Sequence, residues 1–190
     1  MTVAAATIKE RFSSEAANWD QQYAPEAARS IYVHNLRERR KTALSFIGSP
    51  DGRVLEIGCG AGNVILGVDT DRILGTDFAL PMLHKARQSA LRDRRPLKLA
   101  ASDAASLPFT SESTDTAVAL GVPEYLQRPS EALAELHRIL TYGGTLVLSS
   151  PNALSPFVAI DDVLKGAKNW VTRSLMPGWM RRQVKSLLGK

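Results

Sequence analysis

The sequence predicts an α/β fold: a Rossmann-like parallel sheet of about five strands with flanking helices. The first observation is the apolar run Val54–Ile57, which passes at once into a turn with glycine at 58, 60 and 62. The second is that four further short apolar runs follow, separated by segments of helical character. Short apolar runs that alternate with helices are typical of parallel strands buried on both faces.

The helices and strands can be placed from these patterns. We expect strands at residues 54–57, 72–77, 97–103, 116–120 and 145–150. We expect helices at residues 24–47, 62–66, 80–93 and 130–140. The charged stretch 37–41 in the first helix is interpreted as a solvated face. Pro81 suits a first helical turn, whereas Ser130 is expected to cap the last helix and Gly143-Gly144 to end it.

The glycine turn predicts a ligand site at the end of the first strand. Glycines there permit positive φ, let the backbone approach a ligand closely and allow the next helix to pack tightly. Free backbone N–H groups at the start of that helix would meet the ligand's polar atoms. A plain turn between a strand and a helix is the alternative.

Acidic residues at successive strand ends favour a nucleotide-like ligand. Asp77 ends the second run and Asp103 the third, and an acid at the tip of the second strand accepts hydrogen bonds from ribose hydroxyls in nucleotide-binding folds. Each acid also has a local alternative. Glu56 would cap a helix or pair with a cation, Asp77 would cap the helix near Leu80, and Asp103 would cap the turn at 104–107.

The motifs together resemble one enzyme family. A nicotinamide fingerprint needs glycine at the position of Asn63. The string from Glu56 to Gly62, followed by Asp77 and by residues 102–109, instead resembles the class I S-adenosylmethionine-dependent methyltransferases of small molecules. The resemblance covers residues 40 to 152 and implies the cofactor S-adenosyl-L-methionine, but it does not identify the methyl acceptor.

The resemblance implies roles for individual residues. Glu56 matches the acid that orients the methionine amino group, and Asp77 matches the ribose-binding acid. Phe78 would touch the adenine ring, Asp103 would accept from its exocyclic amine, and the Ala104 N–H would reach a ring nitrogen. The predicted cofactor-binding residues are therefore Glu56, Gly58, Cys59, Gly60, Gly62, Asp77, Phe78, Asp103, Ala104, Leu120 and Gly121.

The acceptor pocket is predicted less directly. Residues 12–23 resemble the entry region of small-molecule methyltransferases, where a flexible helix closes over the cofactor. Trp19 and Tyr23 are four residues apart and would share a helix face, with core packing as the equal alternative. Tyr125 follows the fourth strand and is predicted to line the acceptor pocket or to pack its loop. His84 and His137 are not placed at the carboxyl edge, so no catalytic base is assigned.

The last segment departs from the family. After residue 152 the family adds a helix and two strands, whereas the 38 remaining residues are expected to form helices. We therefore divide the chain into a cofactor-binding domain, 1–152, and a helical basic tail, 153–190. Residues 161–190 hold seven Lys or Arg and two Asp or Glu, which accounts for the formal net charge of +5. The tail is interpreted as a cover for the sheet edge or as a peripheral membrane or protein contact.

Composition narrows the class of protein. At 190 residues and 44% hydrophobic content the chain can bury one core. Its single cysteine fits a reducing cytosol, the three histidines have no metal-ligand spacing, and neither a signal peptide nor a membrane span is recognised. We expect a cytoplasmic enzyme, with no nucleic acid partner and no metal, and a homo-oligomer as one way to cover the fifth strand. The alternative is a non-catalytic or partner-dependent module that binds the cofactor or a protein.

Overall fold

The computed structural model describes residues 3–16, 19, 31–150 and 152. Its helices are α1 (Val3–Glu15), α2 (Ile31–Ile47), α3 (Leu80–Arg92) and α4 (Pro129–Ile139). Its strands are β1 (Val54–Ile57), β2 (Ile73–Asp77), β3 (Lys98–Ala101), β4 (Thr114–Leu120) and β5 (Leu140–Ser149). Short 3-10 helices occupy Ile65–Gly67 and Pro123–Tyr125.

The five strands form one sheet in the order β3-β2-β1-β4-β5, and every pairing is parallel. The predicted fold class is therefore confirmed. The chain begins in the middle at β1, moves outward through β2 and β3, and then crosses back to β4 on the other side of β1. Connections that leave β1 and β4 in opposite directions open a crevice at the carboxyl ends of these two strands, where ligands bind in α/β folds.

The central strands are apolar on both faces because each face is covered by helices. One face packs with α2 in a cluster of Ala43, Ile47, Val54, Val64, Ile65, Val68, Ile73, Val118 and Val147. The other face packs with α4 in a cluster of Leu55, Ile57, Leu107, Ala117, Ala119, Leu136 and Ile139. Val54 and Leu55 are adjacent and both fully buried, as expected for a strand with no solvent face.

Both ends of α4 differ from the prediction. Arg128, not Ser130, occupies the cap position, and no side chain caps the helix there. The helix ends at Ile139 and continues directly into β5, so Gly143-Gly144 lie inside the strand. The helix therefore ends without the predicted glycine stop.

The two glycines instead accommodate an irregularity in the sheet. Leu140 is paired with Thr114, but Thr145 is paired with Thr116, so β5 has extra residues between these two pairs. Gly143 has a φ of 75°, a conformation that glycine adopts without the steric cost of a side chain. The glycines thus form a bulge, a feature that a purely local pattern does not separate from a helix stop.

Several predictions fall on residues outside the described ranges. Of the predicted helix 24–47, the described part runs from Ile31. The tail 153–190, its helices and its cover of the β5 edge stay predictions, as does the division into two segments. Among the described helices, none combines the length and apolar character needed to cross a bilayer.

Candidate functional site

The glycine turn lies at the carboxyl end of β1, and each of its glycines has positive φ. The values are 66° at Gly58, 52° at Gly60 and 83° at Gly62. A Cβ added to Gly58 would lie 2.5 Å from the Val122 Cγ2, and one added to Gly62 would lie 3.2 Å from the Leu66 Cδ1. Backbone conformation favours glycine at all three positions. At Gly58 the close approach of Val122 adds a packing requirement, because the turn there lies against the loop after β4.

Glu56 is buried beneath this turn. The residue is 3% exposed, and its Oε2 accepts a hydrogen bond of 2.9 Å from the Ile65 N–H. Burial raises the pKa of Glu56 to about 8, and the neighbouring Asp77 charge adds to this, while the Ile65 N–H and two arginines oppose it. The capping role that we considered as an alternative is therefore present, and it leaves Oε1 available to a ligand.

Asp77 connects the turn to the start of α3. Its Oδ2 accepts from the Gly60 N–H at 3.0 Å, and its Oδ1 accepts from the Ala79 N–H at 2.8 Å. The residue is 7% exposed, and burial raises its pKa despite these backbone hydrogen bonds. Asp77 therefore holds two pieces of backbone in place at the edge where a ribose-binding acid is expected. It bonds to the N–H of Ala79, one residue before α3 begins, and no side chain caps the helix itself, so the predicted helix cap is not formed.

Asp103 has a different environment. Its side chain is 64% exposed, its Oδ1 accepts from the Ala105 N–H at 2.9 Å, and its Oδ2 lies 3.5 Å from the Arg128 Nη2. The turn-capping alternative is present here too. Ala104, the next residue, is partly buried and packs against the apolar cluster beneath α4. On this side of the crevice Asp103 is therefore open to solvent, whereas Ala104 contacts the core.

A small cavity of about 50 Å³ lies where β1 and β4 end. It brings together six of the predicted residues: Trp19, Glu56, Gly58, Cys59, Gly60 and Leu120. The cavity is also lined by Arg39 and Arg40 of α2. Gly121 adjoins it, because a Cβ on this residue would lie 2.6 Å from the Arg39 Nη1.

Arg39 and Arg40 correct the interpretation of residues 37–41 as a solvated face. Both are half-buried, and the Arg40 Nε donates to the Asn63 carbonyl. Leu36 and Ala43 on the same helix are buried, and positions 36, 39, 40 and 43 share one helical face. That spacing was available in the sequence and would have identified the two arginines as facing inward.

Aromatic rings lie over the outer part of the crevice. The Phe12 ring contacts three others edge to face, with centroids 5.9 Å from Trp19, 6.1 Å from Phe78 and 5.2 Å from Tyr125. The Trp19 Nε1 is 3.4 Å from the position of a Cβ on Gly60. Phe12 thus connects Trp19 and Tyr125, the predicted substrate residues, to Phe78, the predicted adenine contact. No role was predicted for Phe12 itself. Tyr23 lies outside the described residues.

The remaining candidates have structural roles. Burial raises the pKa of the Cys59 thiol well above its usual value, and its Sγ lies 2.8 Å from the position of a Cβ on Gly75 of β2. Cys59 is therefore an unreactive packing residue of the turn. His84 on α3 and His137 on α4 are exposed on their helices, and neither lines the cavity where β1 and β4 end.

Comparison with known proteins identifies the family. A family model described as a methyltransferase domain matches residues 55–148. Residues 55–148 form a methyltransferase domain of the class I S-adenosylmethionine-dependent family. The matched residues run from β1 almost to the end of β5, so they include the glycine turn, both strand-end acids and the crevice.

Methyltransferases of this family also appear among similar sequences and structures. Over 136 residues the chain is 32% identical to phosphatidylethanolamine N-methyltransferase of Cereibacter sphaeroides, covering 69% of this chain and 66% of that protein. It is 31% identical over 119 residues to demethylmenaquinone methyltransferase of Thermus thermophilus, covering 60% and 54%. The chain thus spans between half and two thirds of the length of these two relatives.

The fold is shared with a solved methyltransferase structure. Magnesium protoporphyrin IX methyltransferase of Synechocystis, solved with bound SAH, aligns with a TM-score of 0.66 and 17% identity, covering 85% of this chain and 78% of that one. At this identity the likeness concerns the fold alone.

Proposed function

We propose that this protein is an S-adenosylmethionine-dependent methyltransferase that acts on a small, lipophilic acceptor by in-line methyl transfer. One observation carries the proposal. The glycine turn, the buried Glu56 and Asp77 are joined by hydrogen bonds at the carboxyl end of β1, beside the end of β4. Asp77 ties the Gly60 N–H to the start of α3, so the turn is already organised before any ligand binds. Such preorganisation is what close backbone approach to a nucleoside requires.

The residues present fit the cofactor. Glu56 and Asp77 would accept from its amino group and its ribose hydroxyls, since each carboxylate oxygen has lone pairs beyond those used by backbone N–H groups. Within the described residues, the Asn63 Nδ2 and the Ser102 Oγ are buried without a hydrogen-bond partner, and buried polar atoms of this kind favour a polar ligand. When bound, S-adenosylmethionine supplies a methyl group activated by a positively charged sulfur.

The acceptor is proposed to be lipophilic for two reasons. The relatives at about 30% identity are named for phosphatidylethanolamine and demethylmenaquinone, which both carry long apolar chains. The rings of Phe12, Phe78 and Tyr125 offer an apolar wall at the outer crevice. The chain's own contribution is to align this acceptor and to exclude water; no described residue is assigned as a base. We further propose a cytoplasmic location with peripheral membrane contact through the basic residues of 161–190.

Calorimetric titration with S-adenosylhomocysteine tests the cofactor site. We expect saturable binding to the wild type and a tenfold to hundredfold loss in Asp77→Asn, because ribose hydrogen bonds to a carboxylate are stronger than those to an amide. Asp71→Asn changes an exposed acid in the same β1–β2 connection and should bind as the wild type does. Absence of binding by the folded wild type would contradict the proposal.

Transfer of a labelled methyl group tests the acceptor class. The protein is incubated with methyl-labelled S-adenosylmethionine and a total lipid extract, and the products are partitioned between organic and aqueous phases. Label in the organic phase is expected. A labelled aqueous product, separated chromatographically from unreacted S-adenosylmethionine, would overturn the lipophilic acceptor. Cofactor binding without a labelled product in either phase would favour the non-catalytic alternative.

A further inference from the structure

The connection between β3 and β4 carries two of the predicted adenine contacts, Asp103 and Ala104, and lies outside the helices and strands. It runs through residues 102–113 and includes an isolated bridge between Asp103 and Ser106. Irregular backbone of this kind has no helix or sheet ladder to fix its place on the fold. The position of the two predicted contacts therefore depends on what the rest of the connection is attached to.

The turn that holds Asp103 is closed by its own hydrogen bonds. The Ser106 N–H donates to the Asp103 carbonyl at 3.0 Å, and the Ala105 N–H donates to the Asp103 Oδ1 at 2.9 Å. Leu107, the next residue, is 5% exposed and belongs to the apolar cluster beneath α4. The turn 103–106 is thus a compact unit, and its position follows from the way in which Leu107 is held.

Two charged side chains of α4 hold the backbone that follows this turn. The Glu135 Oε2 accepts a hydrogen bond from the Leu107 N–H at 2.7 Å. The Arg138 guanidinium donates to two carbonyls, through Nη1 to Phe109 at 2.8 Å and through Nη2 to Leu107 at 3.2 Å. One turn of α4 therefore binds the backbone at both 107 and 109.

Glu135 and Arg138 also hold each other. The Arg138 Nε lies 2.7 Å from the Glu135 Oε1, and its Nη2 lies 2.8 Å from the Glu135 Oε2, which is the strong, paired geometry of a guanidinium on a carboxylate. The hydrogen bonds from Arg138, and then the one from the Leu107 N–H, lower the pKa of Glu135 to about 2. The carboxylate is therefore charged at neutral pH, and neither side chain can turn away without losing the other.

We propose that Glu135 and Arg138 are positioning residues that set the selectivity of the cofactor site for adenine. The inference rests on the proposed function, in which Asp103 accepts from the exocyclic amine and the Ala104 N–H reaches a ring nitrogen. A base with a carbonyl oxygen in place of that amine sets an acceptor against the carboxylate and a ring N–H against the backbone N–H. A turn held in place rejects this mismatch, whereas a turn that can shift tolerates it.

The ratio of two affinities measures this selectivity. S-inosylhomocysteine differs from S-adenosylhomocysteine by that carbonyl oxygen and ring N–H, and calorimetric titration gives both dissociation constants. We expect the wild type to favour the adenine ligand by about a hundredfold. Arg138→Gln removes the donors to both carbonyls, and Glu135→Gln removes the charge that holds Arg138, so each should lower the ratio by about tenfold. Arg138→Lys, which retains a donor, should give an intermediate ratio.

Asp115→Asn is the matched control. The Asp115 Oδ2 also accepts from a backbone N–H, that of Arg53 at 2.7 Å, and it also pairs with an arginine, since the Arg53 Nε lies 3.4 Å away. Asp115 lies near the start of β4, at the opposite edge of the sheet from the predicted adenine contacts. This variant should lower the free energy of unfolding in urea and leave the ratio within twofold of wild type.

Four outcomes would count against the inference or its basis. A ratio within twofold of wild type in the folded glutamine variants would overturn the positioning role, as would an equal fall of the ratio in Asp115→Asn. Equal affinity of the wild type for both ligands would overturn the selectivity and leave the cofactor site intact. Failure of the wild type to bind S-adenosylhomocysteine would instead overturn the proposed function. Thermal unfolding establishes which variants are folded, and Arg138→Lys decides the role if neither glutamine variant folds.

Discussion

The two halves of the crevice differ in how they use the same kind of residue. At the ends of β1 and β2, Glu56 and Asp77 are 3% and 7% exposed and accept hydrogen bonds from buried backbone. At the end of β3, Asp103 caps a turn with its side chain 64% exposed and pairs loosely with Arg128. All three are acids within or directly after short apolar runs, and this pattern in the sequence does not separate the two buried acids from the exposed one.

The difference shows that a residue predicted to bind the ligand also stabilises the fold when it is buried. In the first half, removing a carboxylate leaves buried N–H groups without acceptors, so the site and the fold are coupled. In the second half, water can replace the hydrogen bonds that are lost when the carboxylate is removed. Changes in the first half should therefore affect stability strongly, and changes in the second half should affect it little.

The largest expected effect is the pH dependence contributed by Glu56. Its pKa of about 8 in the native protein lies above the ordinary 4.5, so the native state holds a proton that the unfolded state releases. Between pH 4.5 and 8 the free energy of unfolding should fall as pH rises, by on the order of 4 kcal/mol from this group. Glu56→Gln keeps an acceptor for the Ile65 N–H and should lack this fall.

Urea unfolding at several pH values between 5 and 8 measures this contribution. The free energy of unfolding of Glu56→Gln should rise relative to wild type toward pH 8. Asp103→Asn is the matched control from the exposed half and should follow the wild-type curve. Parallel curves for wild type and Glu56→Gln would show that Glu56 is ionised in the native state.

Asp77→Ala should lower the free energy of unfolding by about 3 kcal/mol, because it leaves the Gly60 and Ala79 N–H groups without their acceptor in a buried place. Denaturant titration at neutral pH measures the loss. A loss below about 1 kcal/mol would mean that water reaches these N–H groups. The acids of the two halves would then contribute equally little to stability.

Gly58→Ala should cost about 2 kcal/mol, partly from positive φ and partly from the contact of its Cβ with the Val122 Cγ2 at 2.5 Å. Combining it with Val122→Ala should recover the contact part and leave the φ part of about 1 kcal/mol. If the double variant recovered nothing beyond the sum of the single changes, the close contact between the turn and the β4 loop would be refuted.

The smallest effect on stability is expected for Asp103→Ala, about 0.5 kcal/mol, because both of its interactions are exposed. The family role of this acid nevertheless predicts weaker binding of S-adenosylhomocysteine. Unfolding and titration on the same sample separate the two quantities. A stability loss as large as that of Asp77→Ala would abolish the contrast between the halves.

Much of the fold was predictable because its signals are local. The run Val54–Ile57 predicts a buried strand because it is short, mostly apolar and followed at once by glycine. All four of its residues are buried in β1. In the sequence, the glycine turn directly follows this run, and Asp77 comes after the short connection and the second strand that such a fold requires. The same logic placed β2, β3 and α3 to within a residue or two of their observed bounds at most ends.

The sequence by itself therefore determined the sheet, the family and the position of the glycine turn, because period and spacing act along the chain. Only the tertiary structure decided which acids are buried, where Gly143 bends β5, and that Phe12 joins Trp19 to Tyr125. It also decided that Arg39 faces the crevice. These features depend on how helices rotate and pack against a sheet whose strands are distant in sequence, and burial, which sets the pKa of Glu56, exists only once that packing is complete.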